Sequence, residues 1–297
     1  MLRQRTHRLR LRAFPDFQSE RSGATRTIRI PYKMPGMEFT KMHGCGNDFI
    51  ILDYGEADGR ELSEVARRVC DRHFGVGADG ILVPAPSESA DIRMIYFNSD
   101  GSPSEMCGNG IRCLARYARD KGLLRSNELA VETGAGVKNV VLHSDGSSRV
   151  DMGPPAFEGE AASGPHTFLR VSMGNPHAVA FLENKPEIET LNLGLLGPRV
   201  ERDRENFPEG TNAEFVHIRG RHDIRMRIWE RGSGETLASG SGSCAAAVAA
   251  IHRNLVSGPI KVHLDGGVVE VEWRGEGSPV HMSGPAEYIC EGRLSEG

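Results

Sequence analysis

The sequence predicts an α/β protein built from two homologous halves, and two observations carry this prediction. The segment DIRMIYFNSDGS at 91–102 resembles DIRMRIWERGSG at 223–234, with an offset of 132 residues. The same offset carries Cys107-Gly-Asn-Gly onto Ser239-Gly-Ser-Gly, and an alanine-containing, helix-like run follows each motif. Self-similarity at a fixed offset indicates a repeated structural unit.

Two weaker anchors keep the same order along the chain. HGCGNDFII around Asn47 resembles SMGNPHAVA around Asn175 at an offset of 128, and FGVGADGIL at 74–82 resembles FPEGTNAEFV at 207–216 at an offset of about 133. Four collinear anchors near one offset indicate two halves that face each other.

Each half is predicted to contain the same elements. Alternating apolar positions and β-branched residues predict strands with an antiparallel tendency. These strands span 37–42, 48–53, 79–84 and 92–97, then 168–173, 177–182, 213–218 and 223–229. One helix follows each glycine motif, and ELSEVARRVCDRH has the spacing of a further helix. Hairpins are expected within 133–149 and 260–274, and the Gly/Pro-rich stretch 151–164 is expected to be a linker.

Composition restricts the class of protein. The chain has 297 residues, which fits one large or two mid-sized domains, with 38% hydrophobic and 26% charged residues. These values exclude a disordered chain, a collagen and a coiled coil, and no apolar run is long enough to span a bilayer. The net charge is −4, but residues 1–33 carry +7, which leaves −11 for the remainder. An acidic body argues against a nucleic-acid surface and favours small-molecule chemistry.

Residues 1–36 are predicted to lie outside the fold. They are arginine-rich without an apolar core segment, so they are not a secretory signal. An over-called start, a disordered extension or a targeting presequence are the alternatives, because Met37 opens a strand-like run. The six cysteines form no CxxC pair, which argues against a zinc site. Thiols in a reducing compartment, and hence a cytoplasmic location, are expected.

Cys107 and Ser239 each stand at the mouth of a predicted helix. Unpaired backbone N–H groups and the helix dipole stabilise an anion there, and such a position lowers the pKa of a thiol. Cys107 is therefore the candidate reactive group. The alternative is that CGNG is only a tight turn that enters a helix.

Two such helix ends in one cleft would hold an α-carboxylate and place one side chain on each face of Cα. This arrangement suits proton exchange at Cα and requires no cofactor. Amides orient a polar substrate without adding charge, although loop asparagines are also common turn formers. The candidate ligands are Asn47, Asn98, Asn175 and Asn212, with Glu230-Arg231 for one end of a zwitterion, and His177 as an ion-pair partner of Cys107. The lookalike GVGAD at 75–79 lacks the residues of a nucleotide loop.

With these residues assembled, the sequence resembles diaminopimelate epimerase, a pyridoxal-independent family that interconverts LL- and meso-diaminopimelate in lysine biosynthesis. The resemblance runs from about Met37 to the C-terminus. Its segments are HGCGNDFIILD, GVGADGIL, FNSDGSPSEMCGNGIRC, MGNPH, GTNAEF and ERGSGETLASGSG, in the family's order. It implies two pseudo-symmetric domains, each a curled mixed sheet around a central helix, with the active site between them.

The resemblance also implies roles for individual residues. It predicts substrate contacts from the four asparagines, Glu230 and Arg231. Gly108-Asn109 and Gly240-Ser241 would hold the reacting carboxylate, and the catalytic set would be Cys107, Ser239, His177 and Glu230. Domain boundaries near 151 and 284 follow, with 37–151 plus 285–297 in one half and 152–284 in the other. No cofactor or metal is implied, and a homodimer is expected.

One departure from the family pattern concerns Ser239, which stands where the family has a second cysteine. An alkoxyl proton is far less acidic than a thiol, so a poorly matched acid/base would forfeit roughly 10²–10⁴-fold in rate. Cys244 lies about 140° around the helix and does not obviously replace it. The alternatives are a working epimerase variant, a one-thiol enzyme such as a hydroxyproline dehydratase-like β-eliminase or an impaired racemase, an introduced substitution, and a non-catalytic amino-acid binder. Gly80 likewise occupies a place where some family members carry a polar substrate contact.

Overall fold

The computed structural model describes residues 36–183 and 185–294, so almost all of the predicted extension 1–36 lies outside the described residues. The helices of this part span Tyr54–Ala57 (α1), Leu62–Val69 (α2), Gly108–Asp120 (α3), Lys185–Thr190 (α4), Leu193–Glu201 (α5) and Gly240–His252 (α6). No helix within it is long and apolar enough to cross a membrane.

The strands of the first part of the chain include all four that the sequence predicts there. They are Glu38–Gly44 (β1), Asn47–Ile51 (β2), Gly80–Ala85 (β3), Ile92–Asn98 (β4), Glu128–Thr133 (β5), Gly136–Leu142 (β6), Ser148–Gly153 (β7) and Ala156–Ser163 (β8). The expected linker at 151–164 is wrong, because β8 fills most of it. Backbone pairing of β8 with the next strand outweighs the Gly/Pro-rich composition.

The strands of the second part include all four that the sequence predicts there, within a few residues. They are His166–Ser172 (β9), Pro176–Leu182 (β10), Asn212–Gly220 (β11), Asp223–Glu230 (β12), Gly234–Thr236 (β13), Ile260–His263 (β14), Val268–Trp273 (β15), Val280–Gly284 (β16) and Glu287–Arg293 (β17). The expected hairpins are β5–β6–β7 and β14–β15.

Strand order repeats between the two halves. The first runs β17-β1-β2-β3-β4-β5-β6-β7, and the second runs β8-β9-β10-β11-β12-β14-β15-β16. Parallel pairs occur at equivalent places, β2–β3 and β4–β5 against β10–β11 and β12–β14, and every other pair in these two runs is antiparallel. An antiparallel β7–β16 pair joins the halves into one continuous mixed sheet. The prediction of a duplicated α/β unit is confirmed.

Each half curls around one buried helix. Helix α3 contacts β1, β2, β3, β5, β6 and β7, and α6 contacts the strands from β9 to β12 and from β14 to β16. In α6 every residue from Cys244 to Ala250 is fully buried. A helix that is apolar all round belongs in a core, so the alanine-rich sequence accounts for the central position of α6.

Helix α5 supports the turn that follows β12. Trp229 on β12 donates from Nε1 to Glu201 Oε2 on α5 (2.8 Å), and Glu201 Oε1 accepts from the Gly232 backbone N–H (2.9 Å). Gly197 of α5 lies against the Trp229 ring, since a Cβ there would be 2.2 Å from its Cγ. A glycine is therefore required for α5 to approach the turn that carries Glu230 and Arg231.

We predict that Gly197→Ala destabilises the protein by about 1–3 kcal/mol, because the added methyl group overpacks the Trp229 contact. Gly194→Ala is the matched control on the same helix, where the position is exposed and has room for a side chain. It should be neutral or stabilising by up to about 1 kcal/mol through helix propensity. Urea denaturation measures both, and equal unfolding free energies for the two variants would contradict the packing argument.

Candidate active site

Cys107 and Ser239 occupy equivalent positions, since each is the N-cap of a central helix. Their backbones are both extended, with φ −140° for Cys107 and −133° for Ser239. Cys107 Sγ accepts from the Gly110 N–H (3.4 Å), and Ser239 Oγ accepts from the Gly242 N–H (3.3 Å). The alignment of the two motifs in the sequence therefore corresponds to the same local geometry.

The N-termini of α3 and α6 meet end to end. A Cβ on Gly240 would lie 3.1 Å from Gly108 Cα, and a Cβ on Gly108 would lie 3.3 Å from Gly240 Cα. Only glycine at both positions permits this backbone approach without a shift. Both positive helix ends, and the first-turn N–H groups of both helices, are thereby brought to one place.

Cys107 is partly exposed, and its thiol points toward an amide. The distance from Cys107 Sγ to Asn47 Oδ1 is 3.6 Å. Burial raises the pKa of Cys107 to about 11, although hydrogen bonds from the Gly110 and Asn109 backbones lower it; the Glu230 carboxylate raises it further. The expectation that the helix end acidifies this thiol is wrong, because burial outweighs the backbone N–H groups.

Ser239 is buried beside a carboxylate. Glu230 Oε1 accepts from Thr236 Oγ1 (2.5 Å), and the Ser239 hydroxyl approaches the same carboxylate. Burial raises the pKa of Glu230, while hydrogen bonding from Thr236 and Ser239 and the nearby His177 lower it. Sequence reasoning missed Thr236, because its contact with Glu230 depends on the pairing of β13 with the end of β12.

His177 does not serve the thiol. Its Nδ1 lies 2.5 Å from Glu214 Oε1 and its Nε2 lies 3.0 Å from Asn175 Oδ1, so both ring nitrogens have partners in the second half. The prediction of a His177–Cys107 ion pair is wrong. The parallel β10–β11 register pairs His177 with Asn212, and Glu214 lies two residues further along the same face.

Glu214 is a buried group that sequence reasoning missed. It is fully buried in β11, and its Oε2 has no hydrogen-bond partner among the described residues. Burial raises the pKa of Glu214, while the charge and hydrogen bond of His177 lower it. A carboxylate in the otherwise apolar core of a strand was the available sequence signal.

Two amides of the first half, Asn47 and Asn109, form a connected group with Asp79. Asn47 Oδ1 accepts from Asn109 Nδ2 (3.1 Å), and Asn47 Nδ2 donates to Asp79 Oδ2 (2.6 Å). The Asn98 amide donates from Nδ2 to Ser102 Oγ (3.0 Å) instead. The group links the β2 start to the first turn of α3, and Asp79 is a member that the sequence did not reveal.

The amides of the second half hold the turn after β12. Asn212 Nδ2 donates to the Pro176 carbonyl (2.8 Å), and its Oδ1 accepts from the Arg231 backbone N–H (2.9 Å). The Arg231 guanidinium donates to the Glu209 carbonyl (3.1 Å). Glu230 and Arg231 therefore have fixed backbones beside His177.

Gly80 has no room for a side chain in this chain. A Cβ there would lie 2.5 Å from the Phe97 carbonyl oxygen and 2.6 Å from the Tyr96 ring. Gly80 pairs with Asn98 in the β3–β4 register. The side-chain contact that the resemblance suggests for this place therefore has no counterpart in this chain.

Comparison with known proteins identifies the family. The family model described as diaminopimelate epimerase matches residues 39–158 and 169–289. The chain belongs to the diaminopimelate epimerase family. It is 43% identical over 284 residues to the diaminopimelate epimerase of Desulfitobacterium hafniense, covering 88% of this chain and 99% of that one. It is 44% identical over 278 residues to that of Desulforudis audaxviator, covering 86% and 99%.

Solved structures share the fold of this family member at low sequence identity. A Bacillus anthracis phenazine biosynthesis protein of the PhzF family aligns with a TM-score of 0.65 at 19% identity, over 88% of this chain and 100% of that one. A probable proline racemase from Agrobacterium radiobacter aligns with a TM-score of 0.65 at 14% identity, over 87% and 93%. The duplicated fold is therefore shared beyond diaminopimelate epimerases.

We predict that Cys107 makes the stability of this family member fall at alkaline pH. Its folded pKa, about 11, lies above the ordinary thiol value of roughly 8.5. Folding therefore favours the neutral thiol, and this contribution is complete below pH ~8.5 and is lost as pH rises toward 11. The unfolding free energy of the unsubstituted protein should fall relative to Cys107→Ala in this window, by at most ~1.4 kcal/mol per pH unit. Parallel curves from urea denaturation would contradict the raised pKa.

Proposed function

We propose that this protein interconverts LL- and meso-2,6-diaminopimelate by proton transfer at Cα, as an isomerase of lysine biosynthesis that uses no pyridoxal cofactor. The names of its relatives support the substrate. The observation that carries the reaction is the end-to-end contact of two helices capped by Cys107 and Ser239. This contact supports a site with one proton carrier on each side of a shared anion site.

The reacting α-carboxylate is proposed to bind between the two helix ends. The first-turn N–H groups at Gly108-Asn109 and Gly240-Ser241 face this position, and the two helix dipoles add positive potential. The same donors would stabilise the charge that develops when Cα loses its proton. Asn47, Asn98, Asn175, Asn212 and Arg231 are proposed to orient the rest of the substrate.

The acid and the base are proposed to differ between the halves. Cys107 is a neutral thiol at neutral pH because its pKa is about 11, so it donates a proton to one face of Cα. On the other face, Ser239 Oγ accepts the Cα proton while its own hydroxyl proton passes to Glu230. The products are the inverted Cα, a Cys107 thiolate and a protonated Glu230. The reverse turnover returns both protons by the same route.

His177 is proposed to act through Glu230 rather than through the thiol. It is held by Glu214 and Asn175, and it lowers the pKa of Glu230 electrostatically. This effect opposes the burial that favours a protonated Glu230. The carboxylate can then accept the proton that Ser239 relays.

The decisive measurement is proton NMR of the protein with LL- and with meso-diaminopimelate in deuterated water. We expect deuterium at Cα and formation of the second epimer from either one. Cys107→Ala should abolish inversion, and Cys290→Ala is the matched control, because this exposed thiol lies on β17 outside the site. Exchange without inversion would indicate a one-thiol reaction, and binding without exchange would indicate an amino-acid binder.

Substitutions of the second carrier test the proposed relay. Glu230→Gln should lower turnover by about 10²-fold or more, since the amide cannot take the proton that Ser239 passes on. Ser239→Cys should retain or raise turnover, because a thiol is a better proton carrier than a hydroxyl. Ser239→Ala should lose exchange on that face of Cα. Full activity of Ser239→Ala would contradict the relay and leave Glu230 or water as the base.

Assembly and location extend the proposal. We propose a homodimer, supported by the edge strand β17, which pairs only with β1 among the described strands and exposes Tyr288 and Ile289. Sedimentation equilibrium should give twice the chain mass of 32.4 kDa. A cytoplasmic location is supported by six cysteines that are all free thiols, as in proteins of reducing compartments.

A further inference from the structure

Arg112 is a buried cation that takes no part in the proton transfers proposed above. It lies on α3 one turn beyond Gly108, and its side chain is fully buried. Among the described residues it forms no ion pair, whereas Arg116 and Arg119 on the same helix pair with Asp120. A buried charge without a counter-charge is expensive, so Arg112 favours a negative charge that develops near it.

The guanidinium is satisfied entirely by neutral acceptors. Nε donates to the Pro285 carbonyl (3.1 Å), Nη1 donates to the Gly108 carbonyl (3.1 Å), and Nη2 donates to Asn109 Oδ1 (3.0 Å). Met282 Sδ lies 3.8 Å from Nη1. These contacts fix the head group under the first turn of α3 without neutralising it.

A chain of hydrogen bonds connects Arg112 to the thiol. Because Nη2 holds Asn109 Oδ1, the amide of Asn109 turns its Nδ2 toward Asn47 Oδ1 (3.1 Å). Asn47 Oδ1 is also the atom that Cys107 Sγ faces at 3.6 Å. The guanidinium therefore orients the Asn109 amide, while the Asn47 amide is also held by Asp79 Oδ2, which accepts from Asn47 Nδ2 (2.6 Å).

Only the half that holds the Cys107 thiol has a cation at this position of its central helix. The 132-residue offset that relates Cys107 to Ser239 relates Arg112 to Cys244, which is a fully buried thiol in α6. The serine half instead has Glu230, with His177 nearby. Positive charge thus stands behind the group that becomes an anion when it gives up its proton.

We propose that Arg112 is a positioning residue that supplies the counter-charge of the Cys107 thiolate and fixes the Asn109 amide, which donates to Asn47 beside the thiol. The inference rests on the proposed function, in which Cys107 passes its proton to Cα and keeps the negative charge on Sγ. The positive charge of Arg112 lowers the pKa of Cys107, against the larger effect of burial.

Alkylation of Cys107 by iodoacetamide, without substrate, tests the electrostatic part. Below the thiol pKa the rate follows the thiolate fraction, so each unit of pKa increase slows alkylation tenfold. At pH 8.5 we expect the Cys107 peptide of Arg112→Gln, quantified by mass spectrometry, to react about tenfold more slowly than that of the unsubstituted protein. Arg112→Lys keeps the charge and should react within threefold of it.

Arg116→Met is the matched control, because it removes a cation from the same helix one turn further from Cys107. It should leave the Cys107 rate unchanged. An unchanged rate in folded Arg112→Gln, checked by circular dichroism, would overturn the proposal. If Arg112→Gln does not fold, the test uses Arg112→Lys. A tenfold slower alkylation of Cys107 in that variant, which keeps the charge, would also overturn the proposal.

Steady-state kinetics tests the positioning part. A lysine ammonium cannot reproduce the fork that holds Gly108 and Asn109 together, so Arg112→Lys should raise KM several-fold with alkylation preserved. An unchanged KM would overturn the positioning role. The alkylation assay needs no turnover, so failure of the proposed epimerisation is separable: Cα exchange would then be absent while the alkylation result stands.

Discussion

The contact between the backbones of Gly108 and Gly240 is the constraint on which the rest of the structure depends. Two helix ends can meet this closely only if neither residue carries a Cβ and if both helices are buried along their lengths. The curled strands of each half supply that burial, and the β7–β16 pair keeps the halves in one continuous sheet. The duplicated fold thereby brings two equivalent helix N-termini together, which is the basis of the proposed anion site.

The N-termini of α3 and α6 have the same backbone geometry, but different side chains surround them. Both N-caps have the same geometry, yet the first half places a thiol, two amides and a guanidinium together, whereas the second places a hydroxyl beside Glu230 with His177 nearby. In the proposed site, both helix ends offer backbone N–H donors to a bound carboxylate in the same way. In the proposed reaction, the side chains around them therefore decide which face of Cα gains a proton from sulfur and which exchanges through oxygen.

Local patterns predicted the strands, the central helices and the duplicated motifs, because these depend on periodicity and on repeated sequence. The linker prediction failed at β8, where pairing with β9 overrides a Gly/Pro-rich composition. The partner of His177 depends on the β10–β11 register, which brings Glu214 to the same face from 37 residues away. The acidity of Cys107 depends on burial, which a helix-end motif does not reveal. The sequence therefore predicted that the two helix ends meet but not the proton affinity of this thiol.

Burial raises the pKa of both Cys107 and Glu230, and this shared effect matters less to catalysis than the difference between them. In the proposed reaction, inversion moves one proton out of Cys107 and one into Glu230, so the total charge of these two groups is unchanged by turnover. Desolvation disfavours either anion, and its effects on the two groups oppose each other across the reaction. Arg112 behind the thiol and His177 near the carboxylate each favour one anion. In the proposed reaction, the balance between these two effects sets how evenly it proceeds in both directions.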